Sequence, residues 1–332
     1  MDFSFHPDKH RATQLDLRMR HELAQSLRYL SAEIDGRVEF DSNHLDGLID
    51  DLEQGCKYPA SVFALYTDLV FALSGQLQQD PEEIIHQLLQ QKILGGTLPH
   101  FETLGSRQLQ VAGERMTRVL DLDEDTEFLL QAPGRASCAA FEHRLDTAFA
   151  LMGRALPDLV GEIRALVTQV IMVEPASGSS YTFDGGSSYM LWGGLFLNTR
   201  SYTSIAALVE VLAHESAHML LYGFAANTPL TVNDESVRYA SPLRPDPRPM
   251  EGIFHATFVT ARMHYAMHQL LEYRDLNPID RDHAHEALAR NLEAFYDGYQ
   301  TLQQHGELSE VGQALMQSCT DYMNLKRSES IS

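Results

Sequence analysis

The stretch SIAALVEVLAHESAHMLLYG, residues 204–223, is the part of the sequence that decides the fold around it. Its apolar residues recur at helical spacing, and Gly223 can end the helix. His214 and His218 stand one turn apart on such a helix, so both imidazoles face the same way and can bind one metal ion. Glu215 can reach a metal-bound water without being a ligand. We therefore predict a metal site, the alternative being two unrelated helix histidines, one buried and one solvated.

Length and charge limit the remaining possibilities. The chain has 332 residues and a formal net charge of −21, with its acidic residues spread widely. A chain of this length forms two domains or one large one. Binding to phosphate needs a basic face, so the charge argues against nucleic acid and against an anionic membrane as partners. It is compatible with a soluble protein that binds a cationic or neutral peptide.

The cysteines and the N-terminus indicate a cellular compartment. Cys56, Cys138 and Cys319 are scattered and have no zinc-binding spacing, so we interpret them as reduced thiols of a cytosolic chain. The opening residues MDFSFH lack the basic and apolar regions of a signal peptide. No apolar run is expected to be long enough to span a bilayer. The predicted location is the cytoplasm, and the oligomeric state stays open.

Helical patterning covers most of the chain. We divide it into a helical N-terminal region, residues 1–100, and a metal-binding catalytic region with C-terminal helices, residues 101–332. Besides the metal helix, the predicted helices are Leu15–Leu30, His44–Gln54, Ala60–Ser74, Pro81–Lys92, Leu104–Val119, Ala136–Leu156, Leu159–Leu166, Met250–Tyr273 and two more within 280–326.

Strand patterning is confined to the segment before the metal helix. Val167–Val173 is apolar and β-branched, and shorter candidates follow it at Tyr181–Phe183, Ser187–Trp192 and Leu195–Asn198. We predict either a plain hairpin or a small sheet whose edge borders the metal site and could pair with an extended peptide. The predicted fold class is mostly α with a small β-sheet (α+β), in which a helical N-terminal layer packs on a zincin-like HExxH metal core.

Four prolines stiffen the segment SPLRPDPRP, residues 241–249. A stiff loop can hold Arg244 and Arg248 in defined positions, and guanidinium groups bind carboxylates through two parallel hydrogen bonds. In the alternative interpretation the arginines only form salt bridges with carboxylates of the same part of the chain. Those carboxylates are Asp234, Glu235 and Asp246.

Catalytic metals usually take a third protein ligand. Glu251 and His255 lie four residues apart at the start of the helix that follows the proline loop. With Glu251 the ligands are two histidines and a carboxylate, which suits zinc hydrolysis or a non-haem iron site. With His255 they are three histidines, and spacing alone does not decide. A further pair, His264 and His268, is predicted to be structural or solvated.

Three motifs together resemble the 2-oxoglutarate-dependent HExxH peptide β-hydroxylases. They are the HESAH helix, the proline–arginine segment 241–249, and Gly252-Ile253-Phe254-His255. The resemblance covers roughly Val167 to Leu271. HExxH alone is unspecific, because metalloproteases share it, whereas the arginine–proline block followed by Gly-x-x-His is more specific. The resemblance implies iron(II), 2-oxoglutarate and O₂, and hydroxylation of a β-carbon in a ribosomally made peptide during natural-product biosynthesis.

Residue by residue, the resemblance assigns a role to five positions. His214 and His218 match the motif histidines, His255 matches the histidine of the next helix, and Arg244 and Arg248 match the arginines of the proline loop. In that family the position corresponding to Glu251 often holds another residue, which argues against this glutamate as an essential ligand.

Three functions follow as hypotheses. The first is an Fe(II)/2-oxoglutarate-dependent peptide β-hydroxylase, in which Glu215 orients water, substrate or a ligand. The second is a zinc peptidase of the gluzincin type, with Glu215 as general base and Glu251 as third ligand. The third is a non-catalytic, peptide-binding helical protein that has kept a metal site. Nothing in the sequence identifies the peptide or the residue modified.

Overall fold

The structure is a computed structural model that describes residues 3–34, 36, 38–106, 113–120, 129–176, 183–244 and 246–331. It is mostly helical with a small mixed sheet, which confirms the α+β class. In the described residues the helices are α1 (Lys9–Ile34), α2 (Ser42–Glu53), α3 (Ser61–Leu73), α4 (Pro81–Leu89), α5 (Gly113–Leu120), α6 (Arg135–Ala155), α7 (Pro157–Leu166), α8 (Ile205–Ala225), α9 (Met250–Glu272), α10 (Pro278–His305) and α11 (Glu310–Ile331). The strands are β1 (His100–Thr103), β2 (Leu130–Gln131), β3 (Gln169–Pro175), β4 (Gly185–Ser187) and β5 (Gly194–Asn198).

The chain forms two compact units, each assembled from separate segments. The first unit comprises Met1–Arg11, Phe141–Ile163 and Tyr202–Ser332. The second comprises Ala12–Ala140 and Arg164–Ser201. Because the chain passes between the units several times, they cannot be compared one to one with the regions 1–100 and 101–332. That division stays a prediction.

The second unit contains the sheet, with strand order β1-β3-β5-β4 and with β2 paired to β3 off this path. β1, β3 and β5 are parallel, whereas β4 runs antiparallel to β5 and β2 antiparallel to β3. Val170 of β3 lies opposite Phe101 on one side and Leu195 on the other. All of β3 except Pro175 is buried. A central parallel strand covered on both faces is apolar throughout, which explains why the sequence shows a continuous run instead of alternation.

The strand predictions are confirmed in part. β3 begins and ends two residues later than the predicted Val167–Val173, and β5 confirms Leu195–Asn198. Ser187–Trp192 is wrong as a strand, because only its first residue belongs to β4. Ser188 then accepts a hydrogen bond from the N–H of Met190 and opens a short 3₁₀ turn. Of the candidate Tyr181–Phe183, the first two residues lie outside the described residues, and Phe183 is not in a strand.

The predicted helix Leu104–Val119 needs the largest correction. Residues 104–106 form a turn after β1, residues 107–112 lie outside the described part of the chain, and helix begins only at Gly113. β1 itself was not predicted. Its four residues, His100 to Thr103, pair with β3. They do not alternate clearly between apolar and polar residues, so the pairing and not the local pattern makes them a strand.

The other predicted helices are confirmed, with ends that differ by a few residues. α1 is longer at both ends than the predicted Leu15–Leu30. Ser204 caps α8 by accepting the N–H of Ala207 at 3.0 Å. Gly223 was predicted to end that helix. It is instead buried within the helix, and α8 continues to Ala225. Packing, and not the local glycine signal, therefore determines where α8 ends.

α8 also corrects the expectation that no apolar run has the length of a membrane span. The helix has 21 residues and a mean hydropathy of 1.2 over its most apolar window. However, 67% of that window is buried inside the protein. A core helix of a globular protein has the same length and composition, and its burial identifies α8 as one.

Four long helices, α8 to α11, lie in the first unit together with most of α6 and α7, and α9 is the central one of these four. α9 packs against α8, α10 and α11. Gly298 of α10 lets the two backbones approach closely, because a side chain there would collide with Thr257 of α9. Leu208, Leu212, Phe254 and Phe258 are fully buried. α9 is therefore held from several sides, and the residues near its start have fixed positions.

A buried charge cluster anchors α9 to the start of the chain. Arg262 of α9 donates to the carbonyl oxygen of Phe5 at 2.6 Å and forms an ion pair with Glu162 of α7. Glu162 also pairs with Arg11 at 3.3 Å and accepts the N–H of Asp8 at 3.0 Å. Since the side chains of Arg262 and Glu162 are both 0% exposed, each charge needs the other to offset its desolvation.

Candidate metal centre

α8 brings the two motif histidines together as predicted. The Nε2 atoms of His214 and His218 lie 3.1 Å apart, and their ring centroids are 4.8 Å apart. Glu215 is buried beside them, with one carboxylate oxygen 4.0 Å from Nε2 of His214. The one-turn spacing therefore directs both imidazole Nε2 atoms to the same point.

His255 of α9 joins this pair from the facing helix. Its Nδ1 lies 3.0 Å from Nδ1 of His218, and the two rings are nearly parallel, at 24°. Its Nε2 is buried without a hydrogen-bond partner, 4.0 Å from a carboxylate oxygen of Glu251. The structure thus brings together the three predicted histidines, with His218 in the middle, and leaves Glu251 at the margin with a half-exposed side chain.

Burial keeps these imidazoles neutral. It lowers the pKa of His214 and of His255 to about 4, and it lowers the pKa of His218 well below its usual value, aided by the two neighbouring histidines. Neutral imidazole is the form that binds metal ions. For Glu251, burial and then the charge of Glu235 raise the pKa, so this carboxylate is less readily ionised than an ordinary one.

The hydrogen bonds of the three rings test whether the residues fit a metal. Three neutral imidazoles have three N–H donors, but the contacts between the rings can use only two. Whichever way the protons point, Nε2 of His255 remains a buried polar atom without a partner. A polar atom in that state is costly unless something binds it. The nitrogen donors are of the type that iron and zinc prefer, so the residues fit a transition metal.

Within the described residues, no group of three or more His, Cys, Asp or Glu side chains already has the arrangement of a complete metal site. His255 approaches His218 through Nδ1, whereas His214 approaches it through Nε2. The donors are thus adjacent but do not converge on one point. Whether Glu251 or His255 is the third ligand stays open.

Tyr222 is a site residue that the sequence analysis missed. Its ring lies 5.5 Å from that of His255 and 6.4 Å from that of His218, measured between centroids. Burial raises the pKa of its hydroxyl, with further contributions from the charges of Glu215 and Glu251. Continuing the i, i+4 series from His214 through His218 would have found it, because Tyr222 is the next residue on that face.

The segment between α8 and α9 is a closed loop. Tyr239 and Arg248 exchange both backbone hydrogen bonds at 2.8 Å, which brings the two ends of the proline segment together. Further back, Val232 donates to the carbonyl of Glu307 at 2.8 Å and ties the loop to the link between α10 and α11. The loop therefore has a fixed base at Arg248, immediately before α9. Pro245 lies outside the described residues.

Arg248 lies over the first turn of α9. A side chain at Gly252 would come within 3.2 Å of Cβ of Arg248, so the glycine makes room for the arginine. Only 14% of the Arg248 side chain is exposed, compared with 41% for Arg244. Asp246 lies 2.7 Å from Arg248 and 3.1 Å from Arg244. Of the three carboxylates considered for loop salt bridges, Asp246 therefore pairs with both arginines.

The second histidine pair on α9, His264 and His268, was predicted to be structural or solvated, and the structure describes a packing contact for His264. His264 is buried, and its Nδ1 lies 3.0 Å from the hydroxyl of Tyr322 in α11. Burial lowers the pKa of His264 to about 4. The tyrosine hydroxyl can therefore donate to a neutral ring.

The sheet lies in the second unit, and the histidines lie in the first. The prediction that a sheet edge borders the site stays a prediction. No protein-family model matches this chain, and no curated protein matches it significantly.

Proposed function

We propose that this protein is an Fe(II)- and 2-oxoglutarate-dependent hydroxylase that modifies a β-carbon in a ribosomally made peptide. The proposal includes a zincin-like core built from α8 and α9, a cytoplasmic location and a precursor peptide as partner. The observation that carries it is the combination, within one unit, of three adjacent histidines, one buried and two partly buried, with Arg248 just before the helix that holds His255.

The histidines would hold the metal. His214 and His218 would bind through their Nε2 atoms, which lie 3.1 Å apart, and His255 is the predicted third ligand. No proton has to be removed from rings that burial already keeps neutral. Bound iron, together with 2-oxoglutarate and O₂, supplies the oxidation that hydroxylates an unactivated carbon.

Arg248 would bind the distal carboxylate of 2-oxoglutarate. Guanidinium binds a carboxylate through two parallel charge-assisted hydrogen bonds, and the N-terminus of a long helix such as α9 favours an anion in the same place. The closed base of the loop fixes the backbone of Arg248. Arg244, more exposed and nearer the loop tip, would contact the partner or the substrate.

Glu215 would orient a group beside the metal. Its carboxylate is buried and 4.0 Å from the nitrogen of His214 that would bind the metal. A carboxylate in that position can accept a hydrogen bond from water or from the peptide N–H of a substrate.

The test of this proposal is coupled turnover. Protein loaded with Fe(II) under anaerobic conditions is given 2-oxoglutarate, air and peptides encoded near its gene. We expect one succinate for each oxygen atom added to the peptide, as measured by chromatography and mass spectrometry. Absence of succinate with every such peptide contradicts the proposal.

A zinc peptidase is the second candidate, and one observation favours it. Glu251 lies 4.0 Å from His255 and Glu215 lies 4.0 Å from His214, which would provide a third carboxylate ligand and a general base. Peptide cleavage by the zinc-loaded protein, without 2-oxoglutarate, would select this function. In that mechanism Arg248 has no role, so Arg248→Ala should cleave as fast as the wild type.

A further inference from the structure

The rings of His218, His255 and Tyr222 form a cluster across the interface between α8 and α9. The ring centroids of His218 and His255 lie 5.3 Å apart, and that of Tyr222 lies 5.5 Å from His255 and 6.4 Å from His218. His218 and Tyr222 are one turn apart on α8, whereas His255 comes from α9. Tyr222 therefore packs against two histidines of the candidate metal centre, one on its own helix and one on the facing helix.

The ring plane of His255 has to be fixed by its surroundings. The torsion angle that rotates a histidine ring, χ2, has only a broad intrinsic preference. Nδ1 of this ring lies 3.0 Å from Nδ1 of His218, and one face of the cluster is completed by Tyr222. The carboxylate of Glu251, at 4.0 Å from Nε2, is too far away for a hydrogen bond. The hydrogen bond to His218 and the contact with Tyr222 are thus two interactions that orient the ring.

A rotation of the His255 ring would affect the metal motif through His218. Both nitrogens of His218 face another histidine, since Nε2 lies 3.1 Å from His214 and Nδ1 lies 3.0 Å from His255. A hydrogen bond weakens steeply when it departs from linear geometry, so turning the His255 ring would remove the partner of Nδ1 of His218. The tautomer of His218, and with it the nitrogen that is available to a metal, would then no longer be fixed.

We propose that Tyr222 is a positioning residue whose aromatic ring holds the imidazole of His255 in the plane that lets its Nδ1 contact His218. This inference deepens the proposed function, on which it rests for the role of a bound metal. The role belongs to the ring of Tyr222. Phenylalanine should therefore fulfil it, and an aliphatic side chain of similar size should not.

Three variants separate this role from packing in general. Tyr222→Leu removes the ring, and Tyr222→Phe keeps the ring and removes only the hydroxyl. Tyr265→Leu is the matched control. Tyr265 is partly buried, as Tyr222 is, but its ring packs on Phe5 and Tyr322, at centroid distances of 6.2 and 6.0 Å. Its loss should therefore disturb packing in the same unit without touching the histidines of the candidate metal centre.

The first measurement is nitrogen NMR of the metal-free proteins, which reports the protonation of each imidazole nitrogen. In the wild type we expect one tautomer for His218 and one for His255, because the hydrogen bond between them fixes the proton. Tyr222→Phe and Tyr265→Leu should give the same spectrum. In Tyr222→Leu the signals of His255 should be averaged between two tautomers. This readout needs neither metal nor co-substrate.

The second measurement is binding of Co(II), which imidazole ligands bind well and whose visible spectrum depends on ligand number and geometry. Loss of a group that orients a metal ligand typically weakens metal binding about 10-fold to 100-fold, and we expect a rise of that size in the Kd of Tyr222→Leu. Its visible spectrum should change as well. Tyr222→Phe and Tyr265→Leu should keep the Kd and the spectrum of the wild type.

The outcomes separate this inference from the proposed function. Wild-type tautomers and a wild-type Kd for Co(II) in Tyr222→Leu overturn the positioning role, and so does a Tyr222→Phe variant that behaves like Tyr222→Leu. If Tyr222→Leu does not fold, Tyr222→Met fills the space with a flexible side chain and gives the same comparison. A wild-type protein that binds Co(II) but forms no succinate after loading with Fe(II) overturns the proposed function alone. A wild-type protein that binds no Co(II) overturns both.

Discussion

The Nδ1 atoms of His218 and His255 lie 3.0 Å apart, across the interface between α8 and α9. The contact joins the metal motif to a residue 37 positions later in the chain. Because desolvation lowers the pKa of both rings and keeps them neutral, one of them donates a proton to the other, and this fixes which nitrogens keep a free lone pair. A metal that binds His218 is thus sensitive to His255 whether or not His255 is itself a ligand.

The first prediction concerns metal retention. His214→Ala and His218→Ala should lose bound iron, because either change removes one of two adjacent nitrogen donors. His255→Ala should lose it too, whereas Glu251→Ala should keep most of it, since the Glu251 carboxylate is half exposed and resists ionisation. The measurement is metal content after anaerobic loading and dialysis.

Zinc provides the control for metal identity. It should bind the same histidines and inhibit turnover by excluding iron. If Glu251→Ala loses the metal and His255→Ala retains it, the ligands are two histidines and a carboxylate, and the peptidase gains support.

The second prediction concerns Arg248. Loss of a bidentate carboxylate contact costs roughly 2–4 kcal/mol, so Arg248→Ala should raise the 2-oxoglutarate requirement about 30-fold or more while metal stays bound. Arg248→Lys should restore only part, because an ammonium group cannot form the same fork. Succinate formation titrated against 2-oxoglutarate gives the value. Arg238→Ala, an exposed arginine of the same loop, is the matched control, and an Arg248→Ala curve that matches it contradicts the assignment.

The third prediction concerns the buried cluster around Glu162. Glu162→Gln leaves Arg11 and Arg262 buried without a counter-charge and should lower the free energy of unfolding by about 3–5 kcal/mol. Urea unfolding measures the change. Glu329→Gln breaks the ion pair between Lys326 and a half-exposed carboxylate and should lower the free energy of unfolding far less. If the two variants lower the free energy of unfolding by similar amounts, the buried cluster contributes little to stability.

The fourth prediction concerns stability at low pH. Burial, and then His268 and Lys326, lower the pKa of His264 to about 4, below the value of about 6.5 in an unfolded chain. Between these values the unfolded state binds more protons, so stability should fall as the pH falls from about 6.5 toward 4. His264→Gln should flatten this dependence, as followed by urea unfolding at about pH 7 and about pH 4.5. An unchanged slope would show that His264 contributes nothing to acid sensitivity.

The sequence predicts α8 well, because the patterns that indicate this helix are local. Helical periodicity gives α8 and the one-turn spacing of His214 and His218, and the proline before Met250 gives the start of α9. Its position at the start of the next helix makes His255 a candidate ligand beside Glu251, and only the resemblance favours it over Glu251. The proximity of His255 to His218 depends on how α9 packs against α8, which no local pattern encodes.

What the sequence does not predict depends on long-range pairing. β1 has no clear strand pattern and forms by hydrogen bonding to β3, about 70 residues later. Asp246 could be suspected as a salt-bridge partner, but its bridging of both arginines requires the closed geometry set by Tyr239 and Arg248. The reason for a glycine at position 252 is likewise visible only in the structure, where Arg248 occupies the space of a side chain.

The anchoring of Arg262 to Phe5 means that the first residues of the chain help to hold the helix that carries His255 of the candidate metal centre. His255 and Arg262 are about two turns apart on one rigid helix, so they move together. Shortening the protein past Phe5 would remove one anchor of that helix without removing a single candidate ligand. We expect such a protein to lose metal faster although all of its histidines are intact. A shortened version designed around the HExxH motif alone would have the same defect.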